Sequence, residues 1–490
     1  MKNIICLTLS MILQMIMATA LSKELLTYQP EQMQADLVKF KTAIEKIHPG
    51  TFTHQSPEKF DTMFKKLLLE TSKPMEAQDF YKIVLKLVAN IHDGHTQAYA
   101  FGLLGNQINN LKRLPFQVHV RNQRIFITKN MSSQKIAEGS ELLSLDGHLS
   151  HEILVEILKH YSSDGKSHNG LFHWLGGPYK AFNRLYPEIY GQQEKYTLVY
   201  RDYQSNKIVE TQISPITESL LDSIASEKYP PNKTTTLPFS FEINTQNDFA
   251  ILTIKRFFKD SYDEPENTYP DFFKKSFAEI SKHGIQNLII DLRDNGGGKA
   301  SNAAYLLKYF IKEPLTPAKK IYALGNDAYY FDLTGKKLDL NAYFKLKAEK
   351  NGTFQVTESD VLRDLKSYQP IQKNPYADNL IVLINGGTAS AAGIAAGLLK
   401  EHTHAVLVGE ETYGYAGISN GVRQISIKGD HTETAVYLPI LHAEYTLNKH
   451  VQKRSVVPDY QVLETIQNVL EGNDSIMEFA VENLFTRKRQ

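Results

Sequence analysis

Cysteine is nearly missing from this chain: among 490 residues only Cys6 carries a thiol. Cys6 lies in an N-terminal apolar run that reads as a leader, so the processed chain is expected to have none. That excludes disulfides, a thiol nucleophile and cysteine-ligated metal together. Asn3-Ile4-Ile5 ahead of it lack the small residue that precedes a lipidated cysteine. An excess of one charge is missing too: 55 Lys and Arg stand against 54 Asp and Glu, a formal net charge of +1. Without a basic surplus there is no electrostatic case for nucleic acid or an anionic membrane as partner. Long apolar runs are absent beyond the start, and a mean hydropathy of −0.33 is wrong for a multi-span membrane protein. The remaining composition is that of an ordinary globular protein, neither collagen-like nor wholly disordered.

The first 20 residues differ from the rest. Lys2 precedes the mostly apolar run from Ile4 to Met17, and Ala18-Thr19-Ala20 offers a small-x-small cleavage site. These are the parts of a secretory signal peptide. A membrane anchor needs about 20 apolar residues, and Ser10 and Gln14 interrupt this run. Export follows as an expectation, with no stable membrane insertion after the leader is removed. A chain of this size buries enough apolar surface to do without staples.

Length predicts two to four domains at roughly 100–200 residues each. Residues 21–112 read as a helical unit. Leu37, Phe40, Ile44 and Ile47 repeat at helical spacing and stop at His48-Pro49-Gly50. Ser56-Pro57 is a helix start ahead of Phe60, Phe64 and Leu67, and a third helix carries Phe80, Val84, Leu87 and Val88. Residues 113–216 show period-two strands, an Asp146-Gly147 turn and a helix from His151 to His160. This pattern looks like a PDZ-like α+β module, the alternative being an unrelated small α+β unit. Residues 163–193, with the only tryptophan, Trp174, read as an insertion in it. Residues 217–247 read as a linker. From 248 to 490, apolar strands such as Leu288 to Leu292, Leu380 to Ile384, Ala405 to Val408 and Thr434 to Leu438 alternate with helical patterns. That is an α/β arrangement, a sheet covered by helices. Residues 312–378 are polar and rich in Lys and Tyr, and read as an insertion over the sheet.

Three segments stand out chemically. The first is a buried strand running into Asp294-Asn295-Gly296-Gly297-Gly298 and a helix from Ala300. Its glycines allow close approach of backbone N–H groups, and a helix start favours an anion, either a phosphate or a developing oxyanion. It lacks the spacing of a P-loop or a dinucleotide fingerprint. The second is strand, glycine turn and helix again, Asn385-Gly386-Gly387-Thr388-Ala389-Ser390-Ala391-Ala392. Ser390 there is either a nucleophile among residues with almost no side chain or an N-cap in a close-packed turn. If it is a nucleophile, the N–H of Ala391 with that of Gly296 or Gly297 is suited to hold the oxyanion. The third is the polar turn His92-Asp93-Gly94-His95-Thr96. A loop histidine can serve as general base or be merely structural, and His-x-x-His on a turn is a poor zinc site. No metal or cofactor is called for.

Taken in order, these segments resemble the tail-specific, or C-terminal processing, serine protease family, to which the tricorn protease core also belongs. The Asp-Gly-His-Thr turn ending at Thr96 matches, as do Ile290-Asp291-Leu292-Arg293 with its glycines and Gly386-Gly387-Thr388-Ala389-Ser390. So do Val408-Gly409-Glu410-Glu411-Thr412-Tyr413-Gly414 and Val457-Pro458-Asp459. The resemblance implies a crotonase-like β/α catalytic domain, a PDZ-like module that admits peptide ends, Ser390 as nucleophile, and Gly297 with Ala391 as oxyanion donors. One departure is plain. The family's Ser/Lys members carry a lysine 25 residues after the serine, and that position here is Tyr415, whose ordinary pKa near 10 suits it poorly as a base. The tricorn-like branch uses a histidine where His95 stands, which implies His95 as base. That branch orients its histidine with a glutamate ahead of the Pro-Asp element. Glu444 is the nearest match, with Glu401 and Glu411 as substitutes. The function implied is an exported serine endopeptidase acting on extended or C-terminal polypeptide segments. The alternatives are a catalytically silent relative that binds a peptide or small apolar ligand in the same cleft, and an unrelated acyl-transfer enzyme.

Overall fold

A computed structural model describes residues 26–165, 167–177, 180–230, 237–258, 268–325, 344–358, 370, 375–421, 423–447 and 454–485. The stretch read as a leader, with Cys6, and much of the 312–378 stretch read as an insertion lie outside the described residues. The three expected N-terminal helices form as α1 (Pro30–Ile47), α2 (Pro57–Glu70) and α3 (Ala77–Ala89). Ser56 caps α2 by accepting the Lys59 N–H, with Pro57 supplying the first helical residue. After α3 come the polar turn of residues 90–96, strand β1 (Gln97–Ala100) and helix α4 (Gly102–Asn109).

The second part of the chain is a largely antiparallel sheet of β2 (Phe116–Arg121), β3 (Arg124–Asn130), β4 (Glu141–Leu145), β5 (Tyr196–Arg201) and β6 (Ile208–Ile213), in that spatial order. Between β4 and β5 lie α5 (Ser150–His160), α6 (Asn169–Leu175) and α7 (Phe182–Tyr190). Alternation on the strands buries Phe116, Val118, Ile125 and Ile127 together with Ile153 and Leu198 in a core of their own. The stretch read as a linker contains a helix, α8 (Glu218–Lys228), because Thr217 caps it by accepting the Leu220 N–H. The proline and threonine content around it masks that helical segment in the sequence.

The third part is built on six strands. They are β7 (Phe239–Asn244), β8 (Phe249–Ile254), β9 (Asn287–Asp291), β11 (Asn379–Ile384), β12 (Val406–Gly409) and β16 (Tyr460–Gln461), adjacent in this order, with β10 (Ala318–Ala323) in a separate sheet. Apart from β7, the neighbours pair in parallel. Helices α9 (Tyr269–His283), α10 (Ala300–Leu307) and α11 (Ala391–His402) cover it. Together these parts make a mixed α/β fold, as composition and pattern implied. Thr434 to Leu438 does not continue the parallel sheet. It forms β14 (Thr434–Pro439), antiparallel to β13 (Gln424–Lys428) and to β1. Strand β15 (His442–Tyr445) pairs with β10.

That pairing of β14 with β1 ties the beginning of the chain to its end. The apolar faces of α1 to α4 share one continuous core with the parallel sheet and its helices. Asp36 of α1 reinforces the join: its buried carboxylate accepts N–H groups from Asp430, His431 and Thr432 and the Thr432 hydroxyl. Removing one partner of such a buried, charge-assisted cluster leaves the others unsatisfied. The turn of residues 90–96 is thus carried to the C-terminal ends of β9 and β11. Open α/β sheets bind ligands at such strand ends.

Candidate active site

Both glycine turns sit side by side because β9 and β11 pair in register, Ile290 opposite Val382. Thr388 locks them together: its hydroxyl donates to the Leu292 carbonyl and accepts the Asn385 N–H, at 2.9 and 3.0 Å. The Ala389 N–H reaches the Asn295 carbonyl at 2.9 Å. Ser390 follows with φ 49° and ψ −122°, backbone angles that side-chain-bearing residues avoid. Such a conformation costs about 1–3 kcal/mol and persists only where surrounding contacts impose it. It places the hydroxyl at the start of α11, half exposed to a cavity.

Gly297 has to be glycine. Its φ is +105°, and a Cβ there would come within 2.7 Å of Ser390 Cβ and 3.0 Å of the Ala391 nitrogen. The Gly297 N–H, however, donates to Asn295 Oδ1 at 2.9 Å. The turn's own asparagine therefore occupies this expected oxyanion donor. Ala391 N–H has no partner among the described residues, and exposed Gly296 lines the cavity beside Ser390.

His95 meets this turn from the far end of the sequence. Its Nε2 is 3.3 Å from Ser390 Oγ, and its side chain is 22% exposed. The Nδ1 lies 3.6 Å from Asp93 Oδ1, which also accepts the His95 N–H at 3.1 Å. The other Asp93 oxygen accepts from His48 Nε2 and the Thr96 hydroxyl, each at 2.7 Å. Since His48 Nδ1 accepts the Gly50 N–H at 2.9 Å, the His48 proton must sit on Nε2, pointing at Asp93. Burial works against charge on Asp93, but hydrogen bonds from His48 and His95 outweigh it and hold the carboxyl well below its usual range. Burial likewise opposes a charged His95, yet the hydrogen bond to Asp93 and the potentials of Asp164 and Asp93 raise it to about 9.

Sequence reasoning singles out neither Asp93 nor His48. Asp93 stands inside the motif that carries His95, two residues ahead of it, which is the available signal. His48 shows in the sequence only as the end of a helix. The glutamates lie elsewhere. Glu444 is on β15 opposite Lys320 and Ile418, and no hydrogen bond or ion pair joins it to His95 among the described residues. Glu401 is in the last turns of α11, and Glu411 accepts from the Ser455 hydroxyl. Tyr415, at the missing lysine's position, packs on His54 at 4.9 Å between ring centres, with its hydroxyl 3.3 Å from His54 Nδ1. Asp459 of the Pro-Asp element serves the structure, accepting the Leu407 N–H at the edge of the parallel sheet and the Lys400 ammonium.

A cavity of about 530 Å³ opens beside Ser390 and His95, walled by Tyr81, Leu85 and Val88 of α3 and Trp174 of α6. Helix α6 is moored to the glycine turns by His173, whose Nε2 is 2.7 Å from Asp294 Oδ1. Burial opposes charge on Asp294, but His173 and Asn385 hold its carboxyl down at about 2. Among the described residues, the group with donors placed for a metal ion is Asp93, His95 and Asp164, one atom of each within 4.8 Å of the others. The Asp93 oxygens and Asp164 Oδ1 in that group already accept hydrogen bonds.

A serine at a strained helix start, a histidine within reach of its hydroxyl and an unpartnered N–H beside it make the layout of a serine-dependent acyl-transfer site. Residues 248–462 match the model of Peptidase family S41. The chain is 26% identical over 200 residues to the chloroplastic C-terminal processing peptidase of Tetradesmus obliquus, covering 41% of this chain and 34% of that protein. It is 27% identical over 157 residues to the carboxy-terminal processing protease CtpB of Bacillus subtilis, covering 32% of this chain and 25% of that protein. The matched stretch thus spans about a third or less of these relatives' lengths. Mature CPAF, solved in complex with lactacystin, superposes with a TM-score of 0.61 over 94% of this chain and 98% of its own, at 16% identity. At that identity the likeness is one of fold.

Proposed function

We propose that this chain is an exported serine endopeptidase that cuts extended polypeptide segments, C-terminal ones among them. The observation that carries the reading is the 3.3 Å approach of His95 Nε2 to Ser390 Oγ beside a cavity. In the proposed reaction Ser390 Oγ attacks the scissile carbonyl carbon while its proton passes to His95 Nε2. Negative charge collects on the carbonyl oxygen, met by the Ala391 N–H with Gly296 as second donor, and the α11 N-terminus favours it. The C–N bond then breaks, and the leaving amine takes the proton from the imidazolium. Water attacks the acyl-enzyme by the reverse sequence, with His95 again as base. Asp93 orients the imidazole, and His48 holds Asp93, in place of the expected glutamate.

The finer divisions belong to the same proposal. Residues 248–490 are read as a crotonase-like catalytic domain, supported by the parallel sheet whose adjoining strand ends carry both glycine turns. Residues 113–216 are read as a PDZ-like module, supported by their separate core. Residues 21–112 are read as a helical domain and 217–247 as a connection. Export rests on the leader pattern of residues 1–20. Labelling with a fluorophosphonate tests the activity. The intact protein should react, and Ser390→Ala should abolish both labelling and peptide hydrolysis, the latter by roughly a thousandfold or more. An intact protein that stays unlabelled would overturn the peptidase reading in favour of a binding protein.

A further inference from the structure

The residues that hold the His95 turn do not come only from its own surroundings. Three hydrogen bonds reach it from the segment after α5, in the second part of the chain. The Asp93 N–H donates to Ser162 Oγ at 3.0 Å, the Gly94 N–H to Asp164 Oδ1 at 2.5 Å, and the Gly165 N–H to the His92 carbonyl at 2.9 Å. His92 takes a left-handed backbone conformation, φ 57°, at the start of this turn. A conformation of that kind in a residue other than glycine is maintained by contacts from outside. Space around Asp164 is tight: a Cβ on Gly414 would lie 2.2 Å from its Oδ2, and one on Gly94 3.1 Å from its Oδ1. Both neighbouring glycines are shaped around this carboxylate.

We propose that Asp164 is a positioning residue of the catalytic histidine: it clamps the turn that carries His95 and sets a second negative charge beside the imidazole. The inference rests on the peptidase reading and adds that residues 162–165, from a different part of the chain, complete the catalytic site. The groups facing this cluster are His92, Asp93 and His95 of the turn itself, and His48 behind Asp93. Tyr413 lies against Gly94 and donates to the Ser162 carbonyl, and Tyr415 with His54 lies against Gly165. No lysine or arginine is hydrogen-bonded or ion-paired to Asp164 among the described residues. Burial lifts the Asp164 carboxyl to about 6, partly offset by the charge of His95. In return Asp164 and Asp93 favour the protonated imidazole. The two acids thus bias the imidazole toward its charged form. The base form appears only as pH rises, while the imidazolium formed during acyl transfer is stabilised.

Asp164→Asn keeps an oxygen for the Gly94 N–H and removes the charge. The acid limb of its kcat/KM profile should move to lower pH by about one unit or more, since an adjacent opposite charge shifts a titration by that amount. Its kcat on the plateau should fall several-fold with KM little changed. Ser162→Ala loosens the turn without altering charge and should lower kcat while leaving the limb in place. The imidazole titration of His95, followed by NMR in histidine-labelled protein and assigned with His95→Gln, gives the same comparison without turnover. An Asp164→Asn protein whose His95 titrates as in the unaltered protein would overturn the inference, and would do so even if Ser390 labels normally. A displaced titration in a chain that never labels would leave the charge coupling intact and remove the peptidase reading instead.

Discussion

Ser390 and His95 face each other at hydrogen-bonding distance, yet the turns presenting them are built in opposite ways. The serine turn is held from within the parallel sheet. Leu292, Asn295, Asn385 and Thr388 bind it, all of them at the ends of the paired strands β9 and β11. The histidine turn is held from three distant stretches: His48 after α1, residues 162–165 after α5, and the pairing of β1 with β14. The difference separates a serine fixed by local backbone geometry from a histidine fixed by assembly of the whole fold; in the proposed mechanism these are the nucleophile and the base. Changes far from the chemistry should therefore reach activity through the histidine side.

Replacing the base itself tests that contrast most strongly. His95→Ala should cost at least about a hundredfold in kcat while leaving the Ser390 turn folded, as expected for loss of general base catalysis. A loss under about tenfold in peptide assays would take His95 out of the mechanism. The pH profile comes next. A base must be neutral to accept the serine proton, and the carboxylates around His95 raise it to about 9. Below that value kcat/KM should fall by about tenfold for each pH unit, and a flat profile between about pH 6 and 9 would contradict the assignment. Asp93→Asn, which loosens the imidazole's orientation and His48 together, should lower kcat by about tenfold or more with a small change in KM. Smallest is Glu444→Gln. Glu444 stands on β15 opposite Lys320 and Ile418 with no hydrogen bond or ion pair to His95 among the described residues, so steady-state rates should stay within about threefold of the unaltered protein. A large loss would restore the glutamate as orienting acid.

Much of this is readable in the sequence, for definite reasons. Helices α1 to α3 follow from apolar spacing and from Ser56-Pro57 as a start signal, because helix periodicity and caps are local properties. The parallel strands show as short apolar runs because both faces are covered. Ser390 stands out as a serine among small residues after a buried strand, open between nucleophile and N-cap until the family resemblance implies the former. Other features are hidden. Thr434 to Leu438 reads like one more buried strand, and its partner β1 lies more than three hundred residues earlier. Gly297 is expected as an oxyanion donor, and only the path of the turn shows its N–H engaged by Asn295. The resemblance points to a glutamate beside the imidazole, whereas the carboxylate that stands there is Asp93, 3.6 Å from His95 Nδ1.

Alone, the order of residues specified helices α1 to α3, the two glycine turns and the serine, and residues 248–462 match the model of Peptidase family S41. These depend on contacts within a few residues, or on motifs whose chemistry requires fixed spacing. Which groups surround His95 was settled by folding. Aspartates and histidines are interchangeable among polar loop residues until burial and direction distinguish them. A hydrogen bond across hundreds of positions exists only once the shared core has brought its ends together.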